Sequence, residues 1–213
     1  MRLVAFCDPT STPKLPRLLA SLAPNRGLTH YSPNLLELSL THQLLSTASD
    51  TFQDQAWEFV NSLDLTSTFR AKLEAFTRNH GRGWIAELGV VQQAVGLLPY
   101  TRNLWIKCGK KGLVHVGITS YPPATSTATS TTTGSGSGKG LVHALPGDLG
   151  YLVIRHHQAL EIKDEEVVST TGAGDTLVGG LVAGLLSGEE EEVWVKRALE
   201  QVGRTMRSHR AVG

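Results

Sequence analysis

Cysteine is scarce: Cys7 and Cys108 are the only two in 213 residues. Two thiols, without a CxxC, cannot build the disulfide lattice of a small secreted domain. Both lie in apolar, strand-like runs, so buried, reduced and inert thiols are expected. Charge of one sign is also missing, with 20 basic side chains against 19 acidic. That balance lacks the basic footprint of a nucleic-acid binder. Long hydrophobic runs are absent too. No stretch approaches the roughly 18 apolar residues of a membrane-spanning helix. The opening run Leu3–Cys7 is too short for a signal peptide and stops at Asp8-Pro9. A cytoplasmic protein with no nucleic acid and no membrane among its partners is the expectation. Three common ligand signatures fail as well. Gly138-Lys139 suggests a phosphate loop, but Thr133 and Gly140 occupy positions that need Gly and Ser/Thr. Gly172-Ala173-Gly174 is no dinucleotide fingerprint, because Leu177 stands at the third glycine. The eight histidines show no zinc-ligand spacing.

What is present is an alternation of short apolar runs and helical patterns. Apolar residues make up 40% of the chain, enough for a real core. Residues 3–7 read as a buried strand. Leu15, Leu18, Leu19 and Leu22 predict a helix over 13–23. Leu28–Ser32 reads as a strand broken by Pro33, with a helix from Asn34 to Leu45. This strand–helix rhythm marks a parallel sheet with crossover helices. Residues 47–83 are polar and mostly helical in pattern, with Trp57, Phe59, Val60 and Leu63 on one side. Another helix is predicted over 87–98. Leu104–Cys108 and Leu113–Val116 read as paired strands around a Gly109–Gly112 turn. Residues 119–140, rich in Ser, Thr and Gly, cannot bury enough apolar surface to order themselves. They read as a disordered insertion in a surface loop, because the α/β pattern resumes after them. Tyr151–Ile154 and Ala159–Ile162 read as strands. A long apolar helix follows to about Ser187, and a final helix covers roughly 190–208.

The chemistry concentrates at Thr171-Gly172-Ala173-Gly174-Asp175, where that long helix starts. A glycine supplies a bend that other residues resist. Small neighbours let backbone N–H groups approach an anion, and a helix N-terminus favours one. An Asp in the same turn adds a proton acceptor. Phosphoryl transfer to an alcohol needs both features. The bland alternative is a plain helix start with Asp near the N-cap. Behind the turn, Gly179, Gly180, Ala183 and Gly184 form a small-residue patch. At about 1 kcal/mol per helical glycine, the patch suggests close packing against another backbone.

Val168 to Leu177 resembles the C-terminal signature of the PfkB (ribokinase-like) carbohydrate kinase family. Ser32-Pro33-Asn34-Leu35-Leu36-Glu37-Leu38 resembles its Asn-x-x-Glu element. Ile106 to Leu113 resembles its strand and Gly-x-x-Gly turn, and Arg197 to Val212 its closing helix. The fold implied is a ribokinase-like α/β parallel-sheet sandwich with flanking helices. Residues 1–213 would form a partial kinase domain, its N-terminal part and lid missing.

The resemblance implies specific roles. Asp175 would be the catalytic base, and Gly172, Ala173 and Gly174 the anion hole. Lys107, Gly109 and Gly112 would meet the nucleotide. Asn34 and Glu37 would organise Mg²⁺ through water, although the same pair also reads as a capping box. ATP and Mg²⁺ are the implied cofactors, and a monovalent cation and a homodimer are compatible with the family. The implied reaction passes a phosphate to a hydroxymethyl group of a sugar or nucleoside. Phe6–Ser11 with Lys14, and Ser169 before the signature, resemble the pseudouridine-kinase-like branch. The alternative from another class is a non-catalytic remnant that binds nucleotide or a partner.

Overall fold

The computed structural model describes residues 4–9, 11–16, 28–47, 50–78, 81–121 and 140–208. Most of the helix expected over 13–23 and nearly all of the low-complexity tract lie outside them. The chain divides into two compact units. One comprises residues 1–106 and 114–156, the other 107–113 and 157–213.

The first unit is built on a six-stranded sheet of order β1-β2-β3-β4-β6-β5. Its strands are β1 (Phe6–Cys7), β2 (His30–Tyr31), β3 (Asn103–Lys107), β4 (Leu113–Thr119), β5 (Leu141–Ala144) and β6 (Tyr151–His157). β1, β2 and β3 pair in parallel, with Phe6 opposite His30 and Tyr31 opposite Leu104. The far end is antiparallel, with Leu141 opposite Ile154. The sheet is therefore mixed, and the expected parallel arrangement holds at β1–β3. Leu104, Trp105 and Ile106 are consecutive and all buried. So are Leu113 to Val116. Unbroken burial of this kind is expected where both faces of a sheet are covered.

Parallel strands need a long crossover, and the one from β2 to β3 carries five helices. They are α1 (Leu35–Ser46), α2 (Asp50–Ser62), α3 (Ser67–Arg78), α4 (Gly83–Glu87) and α5 (Val90–Leu97). The helix expected over 87–98 is α5, with Gly89 at φ 60° as its N-cap separating it from α4. Of the apolar side predicted for α2 and the turn after it, Leu63 is fully buried but Trp57 is 67% exposed.

The second unit contains the β3–β4 turn and two long helices, α6 (Ala173–Ser187) and α7 (Glu191–Met206). They run antiparallel. The Thr176 and Thr205 hydroxyls are 3.0 Å apart at one end. Gly180 faces Ala198, and Gly184 faces Trp194. A methyl group built on Gly184 would lie 2.4 Å from the Trp194 ring, and one on Gly180 2.6 Å from the Ala198 Cβ. The small-residue patch thus meets a neighbouring helix, as its composition implied.

Two readings fail locally. Residues 159–162 form no strand. Their apolar side chains are used differently: Leu160 and Ile162 reach Gly203 of α7, which orders the segment without a ladder. Conversely, β5 has only four residues, too few to show alternation. Its pairing with β6 defines it.

Candidate functional site

α6 starts from a left-handed residue. Gly172, its N-cap, has φ 78° and ψ −5°, a region costly for any residue with a Cβ. The segment before it is tied down. The N–H groups of Val168 and Ser169 donate to the Met206 carbonyl at 2.8 and 3.2 Å. The Ser169 hydroxyl accepts from the Thr171 N–H at 3.1 Å. Arg207 pairs with Glu166 at 2.7 Å. The end of α7 therefore anchors the turn that opens α6, a role with no signal in the residue pattern.

Asp175 is the third residue of α6 and is exposed. It does not cap the helix, for no side-chain cap bond is made at this N-terminus. It forms no hydrogen bond or ion pair with another described residue. The plain helix-start reading would give this carboxylate a capping contact, which it lacks. First-turn amides have no partner within their own helix. Around them, space is open: a methyl group built on Gly174 would meet nothing within 4 Å. A carboxylate and the first-turn amides of α6 thus share one turn, with open space at Gly174.

The Cys108–Gly112 turn belongs to the same unit. The Cys108 N–H donates to the Gly112 carbonyl at 2.8 Å. Gly112 has φ 94°, and a methyl group there would fall 2.0 Å from the His157 carbonyl oxygen. This glycine has a structural reason of its own, the close passage of residues 157–159. Gly109 has φ 59° and open space around it. Lys107, half-buried, ends β3. The neighbouring Lys110 pairs with Asp164 at 2.5 Å, and this hydrogen bond holds the Asp164 carboxyl below its usual range.

Asn34 and Glu37 lie in the first unit, where they form a complete capping box at the start of α1. The Asn34 side chain accepts from the Glu37 N–H at 2.9 Å. A Glu37 carboxylate oxygen accepts from the Asn34 N–H at 2.8 Å. Glu37 is only 5% exposed. Both are oxygen ligands suited to a hard cation such as Mg²⁺. No group of three or more His, Cys, Asp or Glu side chains that could hold a metal occurs among the described residues. Any Mg²⁺ here would thus depend on phosphate and water for most of its ligands, the usual manner for this ion. Among the described residues, no helix is long and apolar enough to cross a membrane.

The chain is 25% identical over 205 residues to a pseudouridine-metabolizing bifunctional protein of Schizosaccharomyces pombe, covering 96% of this chain and 25% of that one. A ribokinase from Cryptococcus neoformans var. grubii serotype A, solved in complex with ADP, matches with a TM-score of 0.50 at 16% identity. That match covers 98% of this chain and 47% of the other. A probable sugar kinase from Rhizobium etli matches with the same TM-score at 12% identity, covering 97% and 40%. The chain therefore has a ribokinase-like α/β fold and spans less than half the length of these relatives. Residues 146–204, the segment that holds the Gly172–Asp175 turn, match the model of the pfkB family of carbohydrate kinases.

Proposed function

We propose that this chain supplies the phosphoryl-transfer half of an ATP-dependent kinase acting on a hydroxymethyl group of a sugar or nucleoside, with pseudouridine the favoured acceptor. The observation that carries the reading is Asp175, exposed and with no side-chain partner among the described residues, in the first turn of a helix that opens at a left-handed glycine. In this role Asp175 accepts the proton of the attacking hydroxyl. The oxygen so freed bonds to the γ-phosphorus as its bond to the leaving diphosphate breaks. Amides at the Gly172-Ala173-Gly174 turn donate to the phosphate oxygens as their charge is redistributed. Lys107, Gly109 and Gly112 lie at the nucleotide. Asn34 and Glu37, held by their capping box, offer remaining lone pairs to water around a phosphate-bound Mg²⁺. That ion, when bound, neutralises phosphate charge. The preference for pseudouridine rests on the Schizosaccharomyces pombe relative and is the finest-grained part of the reading.

The test is phosphoryl transfer by the purified chain with Mg·ATP and a panel of pseudouridine, other nucleosides and ribose, read by mass spectrometry. A phosphorylated product is expected, and Asp175→Asn should reduce it by at least about a thousandfold while leaving nucleotide binding largely intact. The substitution removes at most about 1 kcal/mol of helix-dipole stabilisation, so the variant stays folded. Turnover unchanged in Asp175→Asn would exclude the base assignment. Absence of product from folded wild-type chain would favour the second reading, a non-catalytic remnant that binds nucleotide or a partner.

A further inference from the structure

A cavity of about 500 Å³ opens among α1, α2 and α5. This volume lies within the usual range for small-molecule sites. The cavity is within the first unit and at the far end of α1 from Asn34 and Glu37. His42 follows Asn34 by eight residues, roughly 12 Å along a helix. Its floor is apolar, with Leu45 and Val95 buried. One wall is Trp57, whose indole is 67% exposed. A large aromatic left in water beside a concave apolar surface is costly unless something covers it.

Two polar residues around the cavity are already engaged, Ser46 through its hydroxyl to the Gln43 carbonyl and Gln53 through its amide to the Ser46 carbonyl; four others are not. His42, Tyr100, Asp54 and Gln92 all line it. None of their side chains hydrogen-bonds or ion-pairs with another described residue. Burial lowers the pKa of His42, which keeps the imidazole neutral, with one donor and one acceptor nitrogen. Burial also raises the pKa of the Tyr100 hydroxyl, which remains a donor. Gly96 is fitted to this arrangement: a methyl group on it would lie 2.9 Å from His42 Nε2. Among the described residues that line the cavity there is no lysine or arginine, and Asp54 is the one acidic side chain.

We infer that this cavity is a binding site for a small planar heteroaromatic amide or amine, neutral or cationic, stacked on Trp57 and hydrogen-bonded by His42, Tyr100 and Gln92. An apolar floor with a few convergent polar groups is the usual make-up of such sites. The Asp54 carboxylate, with no cation beside it, disfavours an anion. The site therefore takes a ligand of the opposite electrostatic kind to a phosphate.

Nicotinamide and nicotinate share a ring and a size but differ in charge, and benzamidine is a planar cation. Each is titrated into the ¹⁵N-labelled full chain, and the four tryptophan indole N–H signals are followed by NMR. Trp57 is identified by loss of its signal in Trp57→Phe. A saturable shift of the Trp57 signal is expected with nicotinamide and with benzamidine, and one at least tenfold weaker with nicotinate. Asp54→Asn should narrow the gap between nicotinamide and nicotinate. His42→Leu should abolish saturation while the signals of buried Trp105 and Trp194 stay in place, which shows that the variant is folded. The inference is overturned if no saturable shift occurs with either favoured probe, if nicotinate binds as well as nicotinamide, or if folded His42→Leu binds like wild type. These readouts do not depend on kinase activity.

Discussion

Two glycines of the second unit make opposite predictions. Gly174 is a glycine that packing does not require, since a methyl group there meets nothing. Gly174→Ala is expected to be as stable as wild type, or up to about 1 kcal/mol more stable. Yet it should lower phosphoryl transfer at least about tenfold, because the methyl group takes space that a phosphate would use. Gly112 has a positive φ and a carbonyl oxygen 2.0 Å from where its Cβ would be. Gly112→Ala should cost roughly 2–4 kcal/mol. Urea unfolding of both variants, beside turnover, checks the pair. Equal destabilisation by the two would contradict this distinction. The sequence could not separate them, because a glycine kept for packing and one kept for a ligand look alike until their neighbours are known. The same holds for Asn34 and Glu37. Their spacing read as a capping box, while the cation role came from the likeness to the family's Asn-x-x-Glu element; the box is present in the side-chain contacts.

At the scale of elements, α6 offers an internal control. Gly179 has nothing within 4 Å of its missing methyl group, whereas Gly184 faces Trp194 at 2.4 Å. Gly179→Ala is therefore expected to raise stability by about 0.4–1 kcal/mol. Gly184→Ala should lower it by roughly 1–3 kcal/mol, as overpacking does. Thermal melts of the two variants should move in opposite directions, and a common direction would mean that α6 and α7 do not pack as described. The long periodic helices were legible because their pattern repeats over several turns. β5 was not, since four residues carry too little pattern and its identity comes from β6. Residues 159–162 misled for the reverse reason. An apolar alternation usually reports burial of one side, but here Leu160 stays 41% exposed and lies beside Gly203 of α7 instead of a neighbouring strand.

The whole molecule carries a pH response. Burial, with a smaller contribution from His115, lowers the His30 pKa from 6.5 to about 4. Burial also lowers the pKa values of His42 and His143, with Lys72 adding to the effect at His143. The unfolded chain thus binds protons between about pH 6.5 and 4 that the folded chain refuses. Stability is fully present above pH 6.5 and is lost as the pH falls through that window. Urea midpoints should fall steadily from pH 7 to pH 4.5, and His30→Gln should flatten the slope. An unaltered slope in that variant would assign the response elsewhere. Nothing in the near-neutral charge balance of the sequence announces this behaviour, which depends on how far three half-buried histidines are withdrawn from water.

The fit of Gly112 beneath residues 157–159 bears on how the protein can be taken apart. The unit holding Asp175 is assembled from two stretches of chain, 107–113 and 157–213. A gene fragment starting at residue 157 would encode every residue of the Gly172–Asp175 turn. It would still lack the seven residues that close over its own first segment. Such a fragment is expected to display mobile amides at His157–Ala159, and a minimal version of this unit needs the short hairpin turn grafted back.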